Sequence, residues 1–343
     1  MGTPYYQDNM RTIYNSDCRS MAEIPDDAIQ CCVTSPPYWG LRKYAAPDIV
    51  FGDGWRGQFG LEPAIDQYIE HTIEIMREIR RVLRPDGVLF WNIADSYVSG
   101  KGTCYNPGGG FNSLTGHTAL KEGQAYPFNR GNKSTLATQG LKPKDLALIP
   151  FRVALAAQSD GWWVRSDIIW NKSNPMPESV QDRPTDAYEH IFMFTKSERY
   201  YWDIEAVRET KAESTIRDNR TNDDGQRRER NYPGAQSNGG TNLGGTQGGR
   251  NIRNVWTFPT QGYPDAHFAT FPEELPERCI KAATREGDTV LDPFAGSGTT
   301  LLVAARLGRR SVGYEISPVY CDLIVKRNNQ HVLVATGVEA VTV

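Results

Sequence analysis

The sequence predicts an α/β protein built on a mainly parallel sheet. Three observations carry that expectation. A strand–helix–strand rhythm runs from Ala28 to Ile93. A strand, a Gly-rich turn and a helix follow one another between Thr289 and Leu307. The apolar run Ala28 to Val33 halts at Thr34-Ser35-Pro36-Pro37, as a buried strand does where it leaves the sheet.

The elements follow in order. Arg11–Tyr14 is a short strand, and Ala28–Val33 is a second that must end at the prolines, which cannot donate ladder hydrogen bonds. Ile65–Leu83 carries apolar residues at helical spacing (Ile65, Tyr68, Ile69, Ile73, Met76, Ile79, Val82), and Arg84-Pro85-Asp86-Gly87 is its stop signal. Val88–Ile93 is the next buried strand. From Ser99 to Gly140 the rhythm breaks into Gly, Asn, Ser and Thr. This segment reads as a flexible insertion; a DNA-contacting loop, given Lys101, Lys121, Arg130 and Lys133, is the sharper alternative. Leu146–Ala157 is helical, Trp162–Trp170 and Ile191–Thr195 are strands, and Trp162-Trp163 reads as core. A polar stretch from about Ala206 to Asn254 holds Arg217, Arg220, Arg227, Arg228 and Arg230 among Asp218, Asp223, Asp224 and Glu229, with a Gly-rich run from Gly234 to Gly249. Regular structure returns with a helix over Phe271–Thr284, a strand over Thr289–Leu291, a helix over Gly298–Leu307, a strand over Ser311–Tyr314 and a last helix over Pro318–Asn329.

Composition bounds the function. The 343 residues suggest about two domains or one large one. At 39% apolar, the chain can build a core. The net charge of -3 excludes a uniformly basic coat, so any nucleic-acid surface must be a local patch. No apolar run reaches the ~18 residues of a membrane span, and the polar first ten residues, with Asp8, lack the layout of a secretory signal. Six cysteines with no CxxC pair give no zinc ribbon or thioredoxin-like motif. His190 and His267 stand alone, and no metal is expected. A reducing, intracellular setting is the simplest inference.

Two sites carry chemistry. The first is Asp292-Pro293-Phe294-Ala295-Gly296-Ser297-Gly298-Thr299-Thr300, where glycines let a ligand approach the backbone and a helix N-terminus offers free N–H groups. No lysine follows Gly298, which disfavours a P-loop, and Leu301 stands where a dinucleotide fingerprint needs its third glycine. A nucleoside-binding turn remains. Glu315, at the end of the next strand, fits a carboxylate that accepts from ribose hydroxyls. The second site is Ser35-Pro36-Pro37-Tyr38, in which rigid prolines present a hydroxyl, a carbonyl and an aromatic face together. Two acceptors and a stacking ring suit a planar heterocycle with an exocyclic amine; a plain Pro-Pro turn is the structural alternative.

Taken together, the two motifs resemble the amino-DNA methyltransferase family that uses S-adenosyl-L-methionine. Their order, catalytic tetrapeptide first and cofactor motif last, resembles its circularly permuted β-group. The resemblance implies a Rossmann-like mixed seven-stranded sheet flanked by helices. Its catalytic domain is split in the chain (1–205 and 265–343) around a target-recognition region at 206–264, with 99–140 as a flexible insertion. It implies that Asp17 contacts the cofactor adenine, that Phe271-Pro272 lies against the methionine moiety, and that 169–175, with Lys172 and Asn174, lies near the flipped base. Arg227, Arg228 and Arg230 are candidate phosphate contacts.

The implied partners are double-stranded DNA, a cognate restriction enzyme and, as often in the β-group, a second copy of the chain. The implied setting is the cytoplasm, in association with the nucleoid, for a prokaryotic or phage-encoded enzyme. Ser35 and the Pro36 carbonyl would accept the amine hydrogens while Tyr38 stacks on a base taken out of the duplex. A cytosine-C5 mechanism needs a nucleophilic cysteine in its own Pro-Cys context, which Cys31 and Cys32 lack. Ser at the first motif position favours N4 of cytosine over N6 of adenine. Methylation of a protein glutamine or an RNA base, and a DNA-binding protein that has lost catalysis, are the other readings.

Overall fold

The computed structural model describes residues 2–98, 104–105, 140–142, 144–209, 249–261 and 271–336. The strands are β1 (Tyr6–Gln7), β2 (Arg11–Tyr14), β3 (Ile29–Thr34), β4 (Ile49–Val50), β5 (Arg56–Gly57), β6 (Leu83–Ile93), β7 (Tyr97–Val98), β8 (Cys104–Tyr105), β9 (Trp163–Lys172), β10 (Tyr188–Thr195), β11 (Val255–Phe258), β12 (Thr289–Asp292) and β13 (Arg310–Tyr314). The helices are α1 (Ile65–Val82), α2 (Ile149–Ser159), α3 (Glu274–Ala283), α4 (Thr299–Arg306) and α5 (Pro318–Thr336). Nine strands form the main sheet in the order β1-β2-β13-β12-β3-β6-β10-β9-β11. The run from β2 to β6 is parallel, β10 is antiparallel to both its neighbours, and β11 is parallel to β9.

The sheet therefore has nine strands among the described residues, not the seven expected. The additions are edge strands of two and four residues, β1 and β11, too short to show a period. The strand β11 lies inside the segment expected to form the target-recognition region. Its Trp256 and Phe258 are buried and its Val255 and Thr257 exposed, a half-buried alternation. By its contacts the chain forms two compact units, one of residues 1–202 and 254–343 and the other of 203–253. The second unit shows a short 3-10 turn, Glu205–Val207, and a bridge between Glu209 and Arg250 in which the Glu209 carboxylate also pairs with Arg253.

The stop signal Arg84-Pro85-Asp86-Gly87 ends α1 but does not delay the strand. Ile29 pairs with Leu83 and Cys31 with Val88, so the register skips across these residues. They bulge out of the ladder, where Pro85 has no hydrogen bond to lose. One further expectation is corrected: Trp162 is core, whereas Trp163 is 44% exposed at the start of β9.

Core packing follows the period of each element. Along α1 the buried residues Ile65, Tyr68, Thr72, Ile75, Met76, Ile79 and Val82 line one face, with Asp66 in the first turn and Arg80 and Arg81 in the last, as the helix dipole favours. Strand β3 is buried on both sides, as a central parallel strand must be. Cys32 joins the cluster containing α1 and α2, while the neighbouring Cys31 lies on the other face, within electrostatic reach of Cys279 on α3. Burial raises the pKa of Cys32 and Cys279, consistent with packing residues and not nucleophiles.

Gly298 joins β12 to α4 with φ of 77°, in the left-handed region, and a Cβ there would lie 2.7 Å from Ile324 Cγ2. Gly298→Ala should therefore cost about 2–4 kcal/mol, from backbone strain and overpacking together. Urea unfolding reads this, and an unchanged midpoint would refute it.

Candidate active site

The parallel pairing of β3 with β12 sets Thr34 beside Asp292, and the Thr34 hydroxyl donates to the Asp292 carboxylate at 2.7 Å. The two motifs, 258 positions apart at this bond, thus leave the same sheet edge side by side. Open α/β sheets place ligands at the C-terminal ends of their strands. A cavity of about 670 Å³ opens there. Ser35, Pro36, Pro37 and Tyr38 line it together with Asp292, Pro293, Phe294, Ala295, Gly296, Ser297, Thr299 and Glu315.

On the Gly-rich side, Asp292 is buried and accepts from Thr34 and from the Phe294 amide. Burial outweighs those donors and pushes its pKa up to about 6. Glu315 accepts from the Gly296 and Ser317 amides, and burial pushes its pKa up to about 7. Thr300 does not line the cavity; its hydroxyl reaches the Val33 carbonyl at 3.3 Å and ties α4 to β3. Arg327, buried on α5, donates to the Ser297 and Thr299 hydroxyls and so braces the turn from behind. Phe271 lines the cavity, whereas Pro272 is buried outside its lining, and its carbonyl accepts the Leu275 amide at the start of α3. Asp17 also lines the cavity, but Arg19 holds its carboxylate at 2.6 Å.

On the Ser-Pro-Pro-Tyr side, buried polar groups hold the loop. Tyr68 donates to the Pro37 carbonyl at 3.0 Å, and the Trp39 indole donates to the Glu62 carbonyl at 2.8 Å. Glu62 and His71 form a buried pair at 3.0 Å, and the same Glu62 carboxylate accepts the Gly60 amide against which Pro37 packs. Burial raises the Glu62 pKa; for His71 burial works the other way, but Glu62 and Asp53 outweigh it and raise the pKa.

Three residues converge on the Tyr38 phenol and its acceptor, Glu189. The Ser35 hydroxyl donates to the phenol oxygen at 3.0 Å, Asn92 on β6 donates to it at 2.9 Å, and the phenol donates to Glu189 on β10 at 2.7 Å. Asn92 also donates to Glu189, and Lys172 at the end of β9 pairs with it at 2.6 Å. Burial pushes the Glu189 carboxyl up, but Lys172 and these donors prevail and leave its pKa below the usual value. Burial and the nearby Glu189 charge raise the Tyr38 pKa well above 10.

Lys172, expected near DNA, is thus an ion-pair partner in the cleft. Asn174, expected there too, accepts the Thr260 amide at 2.7 Å and ties two loops at the cavity rim. Arg227, Arg228 and Arg230, and nearly all of the 99–140 insertion, lie outside the described residues. Asn92, Asp95, Glu62, His71 and Glu189 went unnoticed in the sequence. Asn92 and Asp95 follow directly in or after a predicted buried strand, and a polar residue there was the available signal. Asp95 lines the cavity, and its Oδ2 has no hydrogen-bond partner among the described residues. Among the described residues no cluster of His, Cys, Asp and Glu could hold a metal ion.

The residues on the Gly-rich side fit S-adenosyl-L-methionine. Asp17, Asp292 and Glu315 line the cavity with carboxylate acceptors, the groups that a cationic sulfonium, ribose hydroxyls and an amine require. The fold and the cleft define an S-adenosyl-L-methionine-dependent methyltransferase, and solved structures share that fold. PvuII DNA methyltransferase (cytosine-N4-specific) aligns with a TM-score of 0.60 at 20% identity, over 94% of this chain and 88% of that one. A Thermus thermophilus protein complexed with S-adenosyl-L-methionine aligns with a TM-score of 0.52 at 22% identity, over 92% of each chain.

The profile of a family described as DNA methylase, covering N6 and N4 enzymes, matches residues 29–326, and the chain belongs to that family of amino-DNA methyltransferases. It is similar to Type II methyltransferase M.Cfr9I of Citrobacter freundii, 40% identical over 93% of this chain and 88% of the relative. It is also similar to M.SmaI of Serratia marcescens, 37% identical over 94% of this chain and 92% of the relative. No described helix is long and apolar enough to cross a membrane.

The raised carboxyls give a pH dependence. Asp292 and Glu315 have folded pKa values near 6 and 7, above their ordinary 3.8 and 4.5, so across that interval the folded chain keeps protons that the unfolded chain has released. The ligand-free protein should lose stability as pH rises from about 4 to about 7, and Asp292→Asn or Glu315→Gln should flatten the fall. Denaturant midpoints across this range test it; parallel curves for variants and wild type would overturn it.

Proposed function

We propose that this enzyme methylates N4 of cytosine in double-stranded DNA, at a base flipped into the cleft. The observation that carries the reading is the shared cavity, in which Ser35-Pro36-Pro37-Tyr38 and the Asp292–Glu315 side face one space. When bound, the cofactor supplies an electrophilic methyl group on sulfur. Asp292, Glu315 and Phe271 would hold it, with the backbone of the Gly-rich turn beside them.

An exocyclic aromatic amine is a poor nucleophile because its lone pair is delocalised into the ring. Ser35 gives its own proton to Tyr38, which leaves its lone pairs to accept an amine hydrogen. The Pro36 carbonyl is the second acceptor. Holding both hydrogens out of the ring plane favours a pyramidal nitrogen with its lone pair free. Tyr38, its hydroxyl anchored, offers its ring to the base.

The neutral hydroxyl of Ser35, in place of an acidic or amide first residue, favours cytosine; N6 of adenine is the alternative. We place target recognition in residues 206–264, with phosphate contacts from Arg227, Arg228 and Arg230. Relatives named Type II methyltransferases support a role beside a cognate restriction enzyme in the cytoplasm. A homodimer, the two-domain split around the recognition region and the permuted motif order remain part of this reading.

Ser35→Ala should slow methyl transfer by about 100-fold while changing cofactor affinity little, as loss of one preorganised group at a reacting atom does. Equal loss of both would count against its role. Digesting DNA methylated by the wild-type enzyme and weighing the nucleosides should yield N4-methylcytosine. N6-methyladenine alone would overturn the choice of base.

A further inference from the structure

The buried chain behind Ser35 has a defined polarity. Asn92 Nδ2 can only donate, and it donates to both the phenol oxygen of Tyr38 and the carboxylate of Glu189. The phenol oxygen therefore receives from Asn92 and from Ser35, and its single proton goes to Glu189 Oε2 at 2.7 Å. Every proton in the chain points away from Ser35, toward a carboxylate. The other oxygen of that carboxylate is held by Lys172 at 2.6 Å, so the acceptor sits in a fixed, charge-balanced socket.

We propose that Ser35, Tyr38 and Glu189 form a proton relay that removes the surplus proton from the methylated amine, with Glu189 as terminal acceptor. The inference rests on the reading of this cleft as the amine-methylation site. As the amine nitrogen gains the methyl group it turns cationic and carries one hydrogen too many. That N–H bond breaks with its electron pair left on nitrogen, and the proton passes to Ser35 Oγ. The former Ser35 proton moves to the Tyr38 oxygen, and the former Tyr38 proton to Glu189 Oε2. Ser35 and Tyr38 end unchanged, the product is neutral, and Glu189 is a carboxylic acid that returns its proton to water after the product leaves. Lys172 stays charged throughout and keeps Glu189 ionised between turnovers. The fourth residue of the motif thus serves as a proton conductor as well as a stacking ring.

A purely positioning role makes a different prediction. A glutamine at 189 still accepts the phenol hydrogen bond and holds Tyr38 in place, but it takes up no proton. The test is single-turnover methylation of a plasmid from an unmethylated host by wild type, Glu189→Gln, Tyr38→Phe and the double variant, with cofactor affinity from calorimetry. Glu189→Gln/Lys172→Met serves as a companion that leaves no charge unpaired. Each change should slow transfer by about tenfold or more at nearly unchanged cofactor affinity. The double variant should be no slower than the slower single one, because one broken link disables the relay. Transfer at the wild-type rate by Glu189→Gln or by its companion, or multiplied losses in the double variant, would overturn the relay. Absence of methylated DNA with the wild-type enzyme would instead overturn the reading of the cleft, and the relay with it.

Discussion

The structure depends on two parallel strands lying side by side, β3 and β12, locked by a buried hydrogen bond from Thr34 to Asp292. Neither strand has a site alone. β3 ends in a rigid Ser-Pro-Pro-Tyr loop that cannot remain in the ladder, and β12 ends in a Gly-rich turn that hands the chain to α4. Parallel pairing makes both strands end at the same edge, so their loops share one space. An antiparallel arrangement would have sent the two loops to opposite ends of the sheet. The bond is also one reason a carboxylate can sit at the sheet centre: donors from the Thr34 hydroxyl and the Phe294 amide partly offset its desolvation.

The neighbouring strands complete the cleft by the same logic. Through β6 and β10 the sheet brings Asn92 and Glu189 to the edge that β3 defines, and through β9 it brings Lys172. These residues come from three strands and none is close in sequence to Ser35. Behind the loop, Tyr68, Glu62 and His71 hold the backbone through groups that are themselves buried and bonded. A loop of this kind, anchored from below by polar groups with few other partners, has little freedom to misplace a hydroxyl, and misplacement by about an ångström is what positioning catalysis tolerates least.

Much of this was legible in the sequence where a local rule was at work. Helical spacing from Ile65 to Val82 reveals α1, double proline reveals the end of β3, and strand–glycine–helix punctuation reveals the turn at Gly298, because backbone chemistry within a few residues causes each. The illegible parts are non-local. Glu189 is one polar residue at the head of an apolar strand, and only the pairing of β10 with β6 and β9 gives it Asn92, Tyr38 and Lys172 as partners. Family resemblance alone places Lys172 and Asn174 near the flipped base; that Glu189 pairs with the one and the Thr260 amide donates to the other is set by strands and loops remote in sequence. Pro85 misled in the opposite direction, since a proline excluded from a ladder is indistinguishable in sequence from one that ends it.

The division of charge across the cavity matches the two halves of a methyl transfer. The donor of the methyl group is a cation, and the cavity wall proposed to hold it carries Asp292 and Glu315. The acceptor is a neutral amine that turns positive only as the methyl arrives. A bare carboxylate against that amine would bind the uncharged ground state and the cationic product alike through strong hydrogen bonds. In the proposed mechanism, the contacting group is the Ser35 hydroxyl, and the charge stands two oxygens back, at Glu189, balanced by Lys172. On that proposal, the placement would add little to the binding of an uncharged base, yet would answer a positive charge as it develops, through a chain of hydrogen bonds already pointing the right way. Stabilisation withheld from the ground state and supplied to the transition state is what lowers a barrier. In this cleft it arises from the register of four strands.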